Sequence, residues 1–148
     1  MRKYPKSGNK KLKTYDKWFS RYIRLRDTNK YGFGLCITCH RKCHFDALDA
    51  GHCFTRNNLS TRFDDKNVHA QCHNCNRFKG GESEAHKLRI AHRYGQETLD
   101  WLTKKTSSMM NLLPFEIKEG SDKYRELVRE LYAQKSARFK EENQNLIT

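Results

Sequence analysis

The sequence is short of acidic residues and of long apolar runs. Its 148 residues hold 17 aspartates and glutamates against 30 lysines and arginines, which gives a formal net charge of +13. This imbalance favours a polyanionic partner, most simply nucleic acid, over the alternative of a soluble basic protein without one. No stretch is long and apolar enough for a transmembrane helix, so no membrane partner is expected.

The charge is unevenly distributed along the chain. Residues 1–30 carry +9, residues 31–95 carry +4, and residues 96–148 are neutral. We therefore expect the N-terminal third and the centre of the chain to face DNA. Residues 1–13 are predicted to form a disordered basic arm that either follows a phosphate backbone or is a solvated tail.

Hydrophobic residues are also scarce, at 36% against 32% charged residues, so a folded core needs an additional staple. Six cysteines offer one, because they include two Cys-x-x-Cys pairs, Cys36 with Cys39 and Cys72 with Cys75. Four thiolates with this spacing are typical of a closed, structural zinc site. Cys43 and Cys53 remain as free thiols or, alternatively, as substitute ligands.

Disulfides are not expected, because the N-terminal residues have no apolar segment that would serve as a signal peptide. The protein is therefore predicted to work in a reducing cytoplasm.

The 32 residues between the two cysteine pairs are more than a minimal zinc ribbon requires. We predict that they contain a β-hairpin over 45–63, with its turn near 56–58, clamped by the zinc. The fold class is α+β. We predict a zinc-bound domain over 14–105 with flanking helices at 14–28, 83–93 and 96–105 and a short helix after Asn76. Thr14 is expected to cap the first helix.

The C-terminal region is predicted to contain a linker over 106–120, with Pro114 in its irregular part. An amphipathic helix follows over 121–148, regular to residue 142 and capped by Ser121. Such a neutral helix packs on its own domain or, alternatively, forms a homodimer contact.

Residues that suit phosphodiester hydrolysis lie between and beside the cysteine pairs. His52 is the candidate general base, because its ordinary pKa allows a neutral imidazole at pH 7. Asp49 and Asn76 offer the hard oxygen ligands that Mg²⁺ or Mn²⁺ prefers. Because Asn76 directly follows Cys75, the zinc would hold this ligand in place.

Basic residues near these positions are the candidate DNA contacts. Those on the first helix lie off its apolar stripe, and the others flank the candidate active site; each could instead be a solvated surface residue. The set comprises Arg24, Arg26, Arg56, Arg62, Arg77 and Lys79.

Two motifs resemble the HNH, or ββα-metal, nucleases: Asp49-Ala-Gly-His52, and Asn67-Val-His-Ala-Gln-Cys72-x-x-Cys75-Asn76. By this resemblance His52 is the general base and Asn76 is the last metal ligand. Asn67 is implied to hold the hairpin loop through backbone hydrogen bonds.

A wider resemblance, over about residues 15–100, is to the NinG (Rap) recombination proteins of lambdoid phages. It is carried by Phe19-Ser-Arg-Tyr-Ile-Arg-Leu-Arg-Asp27, Cys36-Ile-Thr-Cys39, Arg62-Phe-Asp-Asp-Lys-Asn67 and Gln71-Cys-His-Asn-Cys-Asn76, together with the 49–52 motif. The resemblance implies a nuclease that cuts Holliday junctions and D-loops in the cytoplasm of a bacterial host.

One position departs from the HNH pattern. Many HNH proteins place a metal ligand directly before the base histidine, but here that position is Gly51 and the nearest acid is Asp49. His69 and His73 are spare candidates that structural roles could equally explain. Two other functions stay open: an HNH homing or restriction-type endonuclease that reads a duplex sequence, and a non-catalytic zinc-ribbon DNA-binding protein.

Overall fold

The computed structural model describes residues 9–148, in which two small antiparallel hairpins are surrounded by helices. The first hairpin pairs β1 (Phe33–Leu35) with β2 (Lys42–His44). The second pairs β3 (Leu48–His52) with β4 (Val68–Cys72), in a register that places Leu48 opposite Cys72 and His52 opposite Val68.

Six α-helices and three short helical turns complete the described residues. The α-helices are α1 (Lys10–Arg26), α2 (Leu59–Arg62), α3 (Ser83–Tyr94), α4 (Gln96–Thr106), α5 (Pro114–Ala133) and α6 (Ala137–Glu142). The turns are a 3₁₀ turn at Phe45–Ala47, a π-helical turn at Asn74–Phe78 and a 3₁₀ turn at Gln144–Ile147. The mixed α+β class and the long C-terminal helix are confirmed. Within residues 9–148, no helix combines the length and the apolar character that a membrane span requires.

The main core lies between α1, α5 and the second hairpin. Tyr15 and Phe19 of α1 pack against Tyr124 of α5, and the Tyr15 ring stacks on Phe63 at 3.6 Å between centroids. The two helices approach closely at Gly120, where a Cβ atom would lie 2.3 Å from the Tyr15 ring. The apolar stripe of α5 is therefore covered by α1 of the same chain. A homodimer contact stays a prediction.

A buried lysine joins the C-terminal helices to the end of α1. Lys135 is 7% exposed, and its Nζ donates hydrogen bonds to the backbone oxygens of Leu25, Thr28 and Asn29 at 2.6–3.0 Å. Carbonyl groups at the end of a helix have no partner within the helix, and a cation is favoured there. Lys135 thus adds to the cap that the Thr28 hydroxyl provides by donating to the oxygens of Arg24 and Leu25.

The predicted hairpin was placed correctly in its first strand and wrongly in its second. Residues 56–58 do not form its turn; Asn58 instead caps α2, with its Oδ1 accepting a hydrogen bond from Ser60 N at 3.1 Å. The second strand is β4, the strand that ends at Cys72. Fifteen residues therefore connect the two strands, and they contain a helical turn.

Two helix starts also differ from the prediction. The first helix begins at Lys10 rather than Thr14, because Asn9 Oδ1 accepts from Lys11 N at 2.8 Å and Leu12 is fully buried. Residues 10–13 are thus helical and not part of a disordered arm, and the rest of the predicted arm, residues 1–8, lies outside the described residues. The predicted linker extends only to Leu113, since Pro114 is the first residue of α5.

Candidate metal centre and active site

The two cysteine pairs converge into one cluster. The turn of the first hairpin carries Cys36 and Cys39, β4 ends at Cys72, and the Asn74–Phe78 turn carries Cys75. Their four sulfur atoms lie within 4.8 Å of one another, and Cys39 Sγ is 3.8 Å from Cys72 Sγ. Tetrahedral coordination with metal–sulfur bonds of about 2.3 Å requires sulfur atoms about 3.8 Å apart. The cluster can therefore hold a structural metal such as zinc.

The surroundings of Cys36 favour a thiolate. Burial by itself raises the pKa of this thiol, but hydrogen bonds from the Thr38 hydroxyl and from nearby backbone amides outweigh it and lower the pKa to about 6. Metal binding needs deprotonated sulfur, which the surroundings of Cys36 favour. Burial raises the pKa of Cys72 and raises that of Cys75 to about 12, so these thiols would lose their protons only as the metal binds. Cys43 and Cys53 are buried outside the cluster as free thiols.

The structure brings Asp49 and Asn76 together, as the sequence predicted for a pair of metal ligands. Asn76 Nδ2 donates to Asp49 Oδ2 at 3.0 Å, which places an amide and a carboxylate at one point between β3 and the Asn74–Phe78 turn. Asn76 is held there because its neighbour Cys75 is 1% exposed within the cysteine cluster.

Asp49 has two further partners that the sequence did not reveal. Arg77 donates to both carboxylate oxygens, at 2.7 and 2.8 Å, and His73 Nε2 lies 3.4 Å from Asp49 Oδ1. Partial burial acts to raise the pKa of Asp49, but the hydrogen bonds from Arg77 and Asn76 and the nearby positive charge lower it below its ordinary value. Asp49 is thus a carboxylate that already has a cationic partner.

The neighbourhood of Gly51 explains why no acidic residue stands directly before His52. Gln71 lies opposite Asp49 and diagonally to Gly51, and its side chain reaches over Gly51, where an added Cβ atom would clash with Gln71 Oε1. Gln71 Nε2 donates to Gly81 O at 2.7 Å, so the amide is fixed in this position. Side chains alternate along a strand, and Asp49 therefore lies on the same face of β3 as Gly51. It is the first position on that face with room for a ligand.

His52 lies on the opposite face of β3 and is held by the loop after it. Its Nε2 is 2.9 Å from the carbonyl oxygen of Arg62; because a carbonyl only accepts, Nε2 carries the proton and Nδ1 has the free lone pair. Burial lowers the pKa of His52 to about 4, so the ring is neutral at pH 7. No hydrogen bond or ion pair within residues 9–148 joins His52 to Asp49 or Asn76.

Asn67 makes three side-chain hydrogen bonds to backbone atoms of the loop between β3 and β4. Its fully buried side chain accepts from Phe54 N at 2.8 Å and donates to the oxygens of Phe54 and Thr61 at 3.0 Å. These bonds tie the loop between β3 and β4 to the start of β4. The loop includes the Arg62 carbonyl that holds His52.

The six candidate DNA contacts divide by exposure. Arg26 bonds Asp27 and the backbone oxygens of Asp65 and Val68, while Arg62 is 4% exposed and paired with Asp16. Both guanidinium groups are thus engaged within the protein, where they stabilise the loop, and their role as DNA contacts stays a prediction. Arg24 is half-buried, with its guanidinium 4.3 Å from the Phe45 ring.

The other three side chains are more than half exposed: Arg56, Arg77 and Lys79. Each has one acidic neighbour, which for Arg56 is Asp16, for Arg77 is Asp49 and for Lys79 is Glu82.

A buried histidine pair escaped the sequence interpretation. His69 and His86 are both fully buried, with His69 Nδ1 3.0 Å from His86 Nε2 and His69 Nε2 2.9 Å from the Tyr94 hydroxyl. Burial lowers the pKa of His69 to about 2 and that of His86 to about 4. His69 is therefore part of the packing of α3 on the hairpin, the structural role considered for it. The sequence held one signal for this role: His69 and Gln71 are two residues apart in β4 and therefore lie on the same face of the strand.

Comparison with known proteins decides the family. The family model described as Bacteriophage Lambda NinG protein matches residues 2–135, which is most of the chain. The chain belongs to the NinG family. The match contains both hairpins, the cysteine cluster and all of α5, so the family extends well beyond the motifs quoted from the sequence.

Curated relatives agree with this assignment over shorter stretches. Protein ninG of Escherichia phage 933W and protein ninG of Enterobacteria phage VT2-Sa are each 35% identical over 80 residues, which is 53% of this chain and 37% of the relative. Protein ninG of Enterobacteria phage H19B is 40% identical over 53 residues, or 35% of this chain and 26% of the relative. The matched stretches thus span between 26% and 37% of the length of these relatives. No solved structure matches the chain.

Proposed function

We propose that this NinG-family protein is a metal-dependent endonuclease of the HNH type, with a structural zinc, that cuts branched DNA during phage recombination. One observation carries the proposal. The β3–β4 hairpin runs directly into a helical turn fixed by the cysteine cluster, and this junction brings Asp49 to within 3.0 Å of Asn76. The order of elements is that of a ββα-metal site.

His52 supplies the base in this proposal. The Nδ1 lone pair of His52 is free, because Nε2 is bonded to the Arg62 carbonyl. Since His52 and Asp49 lie on opposite faces of β3, the proposal requires bound DNA to place the attacking water within reach of Nδ1 and of the ion at the same time. A base with a pKa of about 4 is weak in the free protein. The negative charge of a bound phosphate favours the protonated imidazole and raises that pKa, so the base strengthens when DNA is present.

Asp49 and Asn76 would hold the catalytic Mg²⁺ or Mn²⁺. When bound, such an ion neutralises charge on the phosphate and on the leaving oxygen. The residue types fit a hard cation, because a carboxylate with a low pKa stands beside an amide; the Nδ2 of Asn76 now donates to Asp49, so the amide would have to turn its Oδ1 towards the ion. Arg77 donates to both carboxylate oxygens of Asp49 from the exposed side. It must release at least one of these oxygens before the ion can bind.

The charge of the molecule supports DNA as the substrate. The net charge is +13, and exposed cationic side chains lie beside the Asp49–Asn76 pair at Arg77 and Lys79. Contacts of this kind give affinity without sequence preference, because they are made to phosphates. They therefore suit a nuclease that recognises the shape of a branch.

The test is cleavage of matched DNA substrates by wild type and one variant. With Mg²⁺, wild type should cut a Holliday junction or D-loop in preference to a linear duplex of the same sequence. His52→Ala should lose about 10²–10⁴-fold in cleavage rate while keeping its metal content, fold and junction affinity. His92→Ala is the matched control, since His92 is an exposed histidine on α3.

The same experiment separates the alternatives. Equal cutting of duplex and junction, at defined sequences, would favour the homing or restriction-type nuclease. Binding of DNA without cleavage by wild type under any divalent ion would favour the non-catalytic zinc-ribbon protein, and the Arg77–Asp49 ion pair is the observation that suits that function. Full activity of a folded His52→Ala protein would refute the proposed mechanism.

A further inference from the structure

Phe78 is an aromatic residue that the fold does not use. Its side chain is 82% exposed, more than any other aromatic side chain in residues 9–148; the next is Phe115 at 59%. An isolated exposed apolar residue is ordinary on protein surfaces. Phe78 differs in two respects, which are how firmly its backbone is held and what surrounds it.

The backbone around Phe78 is fixed on both sides. Before it, Cys75 is buried in the cysteine cluster, and Lys79 N donates to Asn74 O at 3.1 Å to close the turn. After it, Gly81 N donates to Cys75 O at 2.9 Å. A metal in the cluster would stiffen this turn further. The ring is therefore presented to solvent from a rigid support, which lowers the entropy lost when a ligand binds it.

The neighbours of Phe78 are cationic and close to the proposed active site. Arg77 and Lys79 flank it with side chains 56% and 53% exposed, and Asn76 stands two residues before it. An aromatic ring between cations is the arrangement with which proteins bind a nucleic-acid strand, the cations at the phosphates and the ring against a base. A purely apolar partner would not use these exposed cations, which pair only with Asp49 and Glu82 on the protein's own surface.

The exposed ring needs a base whose face is free. Within a duplex each base is covered on both faces by its neighbours, so a side chain on the surface cannot stack on it. At a branch point, or on the displaced strand of a D-loop, stacking is interrupted and a base face becomes available. We propose that Phe78 stacks on an unstacked base next to the branch point and so gives the protein its preference for branched over linear DNA. This inference rests on the proposed function and names the feature of the substrate that is recognised.

The experiment measures binding rather than cutting. A D-loop of synthetic oligonucleotides carries 2-aminopurine at the first unpaired position, and titrations are done without added divalent ion. Wild type should change the 2-aminopurine fluorescence on binding. Phe78→Ala should abolish that change and weaken D-loop binding by roughly 5- to 150-fold, with linear duplex affinity altered less than twofold. Phe78→Trp should keep both properties.

Two controls separate stacking from charge and from general surface effects. Phe115→Ala removes another exposed phenylalanine, on α5, and should bind as wild type. Lys79→Ala should weaken D-loop and duplex binding alike and reduce the dependence of affinity on salt, whereas Phe78→Ala should leave that dependence unchanged.

The outcomes distinguish this inference from the function beneath it. If wild type prefers D-loops and Phe78→Ala keeps the same preference, the stacking role is wrong and the nuclease proposal stands. If wild type binds duplex and D-loop equally, branch recognition itself is wrong. If wild type is a dimer that Phe78→Ala dissociates, the ring is covered by a second copy of the chain and the inference is overturned.

Discussion

At the scale of single residues, Asp49 has two partners that compete for it. Arg77 binds both of its carboxylate oxygens, and a divalent ion held with Asn76 would need at least one of them. The arginine would be released as the ion binds and would then be free for a phosphate. If the proposed function holds, the ion pair would keep the carboxylate ionised until metal and DNA bind.

This competition makes a prediction for Arg77→Ala. Removal of the guanidinium should lower the Mg²⁺ concentration needed for half-maximal cleavage, because the ion no longer displaces a cation, while DNA binding weakens. Mn²⁺ binding followed by electron paramagnetic resonance gives the same comparison without activity. Lys79→Ala removes an equal charge that pairs with Glu82 instead. If both variants need the same Mg²⁺ concentration for half-maximal cleavage, Arg77 does not compete with the ion for Asp49.

Sequence reasoning reached some of these residues and missed their partners. The convergence of Cys36, Cys39, Cys72 and Cys75, and the approach of Asp49 to Asn76, followed from spacing and motif. The hydrogen bonds that Arg26 and Arg62 make within the protein did not follow from the sequence. Whether a guanidinium binds a phosphate or the protein depends on which acidic side chain lies next to it in the fold. For Arg62 that acid is Asp16, which is 46 residues away along the chain.

At the scale of elements, the errors of prediction have one physical origin. Proline and lysine were interpreted as breaking regular structure, yet Pro114 starts α5 and Lys10 starts α1. Proline fits the first turn of a helix because the amide it lacks would have no partner there. Lysine favours helix formation nearly as well as alanine does. A lysine-rich segment is therefore helical once tertiary contacts bury one of its faces, here at Leu12.

The cap that Lys135 provides to α1 is testable by Lys135→Met, which keeps the length of the side chain and removes its donors. Three backbone oxygens would lose a hydrogen bond, although Leu25 O keeps the Thr28 hydroxyl and Asn29 O keeps Gly32 N, and we expect the free energy of unfolding to fall by about 1–3 kcal/mol. Urea denaturation followed by circular dichroism measures it. Lys123→Met, at an exposed position of α5, should change stability little. Equal stability of both variants would show that the buried contact contributes nothing.

At the scale of the whole molecule, the cysteine cluster connects the two hairpins, whose cysteine pairs are far apart along the chain. It joins the turn of the first hairpin, the end of β4 and the Asn74–Phe78 turn. We expect one zinc per chain by elemental analysis, and a strong chelator should unfold both hairpins. Cys39→Ser should lose the metal, whereas Cys43→Ser, outside the cluster, should keep it. Metal retained by Cys39→Ser would rule out the four-cysteine site.

Stability should also depend on pH through the buried histidines. His52, His69 and His86 have folded-state pKa values lowered to about 4, about 2 and about 4. Below pH 6.5 the unfolded chain takes up protons that the folded protein excludes, so the free energy of unfolding should fall as pH drops from 6.5 towards 4. Each group contributes up to about 1.4 kcal/mol per pH unit.

Metal loss at acid pH destabilises the fold in parallel, so the informative quantity is a difference between variants. Denaturant midpoints between pH 7.5 and 5 should fall less steeply for His86→Gln than for wild type, because one buried histidine fewer must stay unprotonated. His92→Gln, on the exposed face of α3, should follow wild type. Parallel slopes for all three proteins would place the pH dependence elsewhere.

The packing of α1 on α5 also determines when each part of the chain can fold during synthesis. The apolar face of α1 leaves the ribosome first, yet the helix that covers it begins only at Pro114. The cysteine cluster is complete much earlier, once Cys75 has emerged. We therefore expect the metal-bound hairpins to form while Phe19 and Ile23 are still exposed. For most of translation the nascent chain would display a basic, aromatic helix that chaperones can bind.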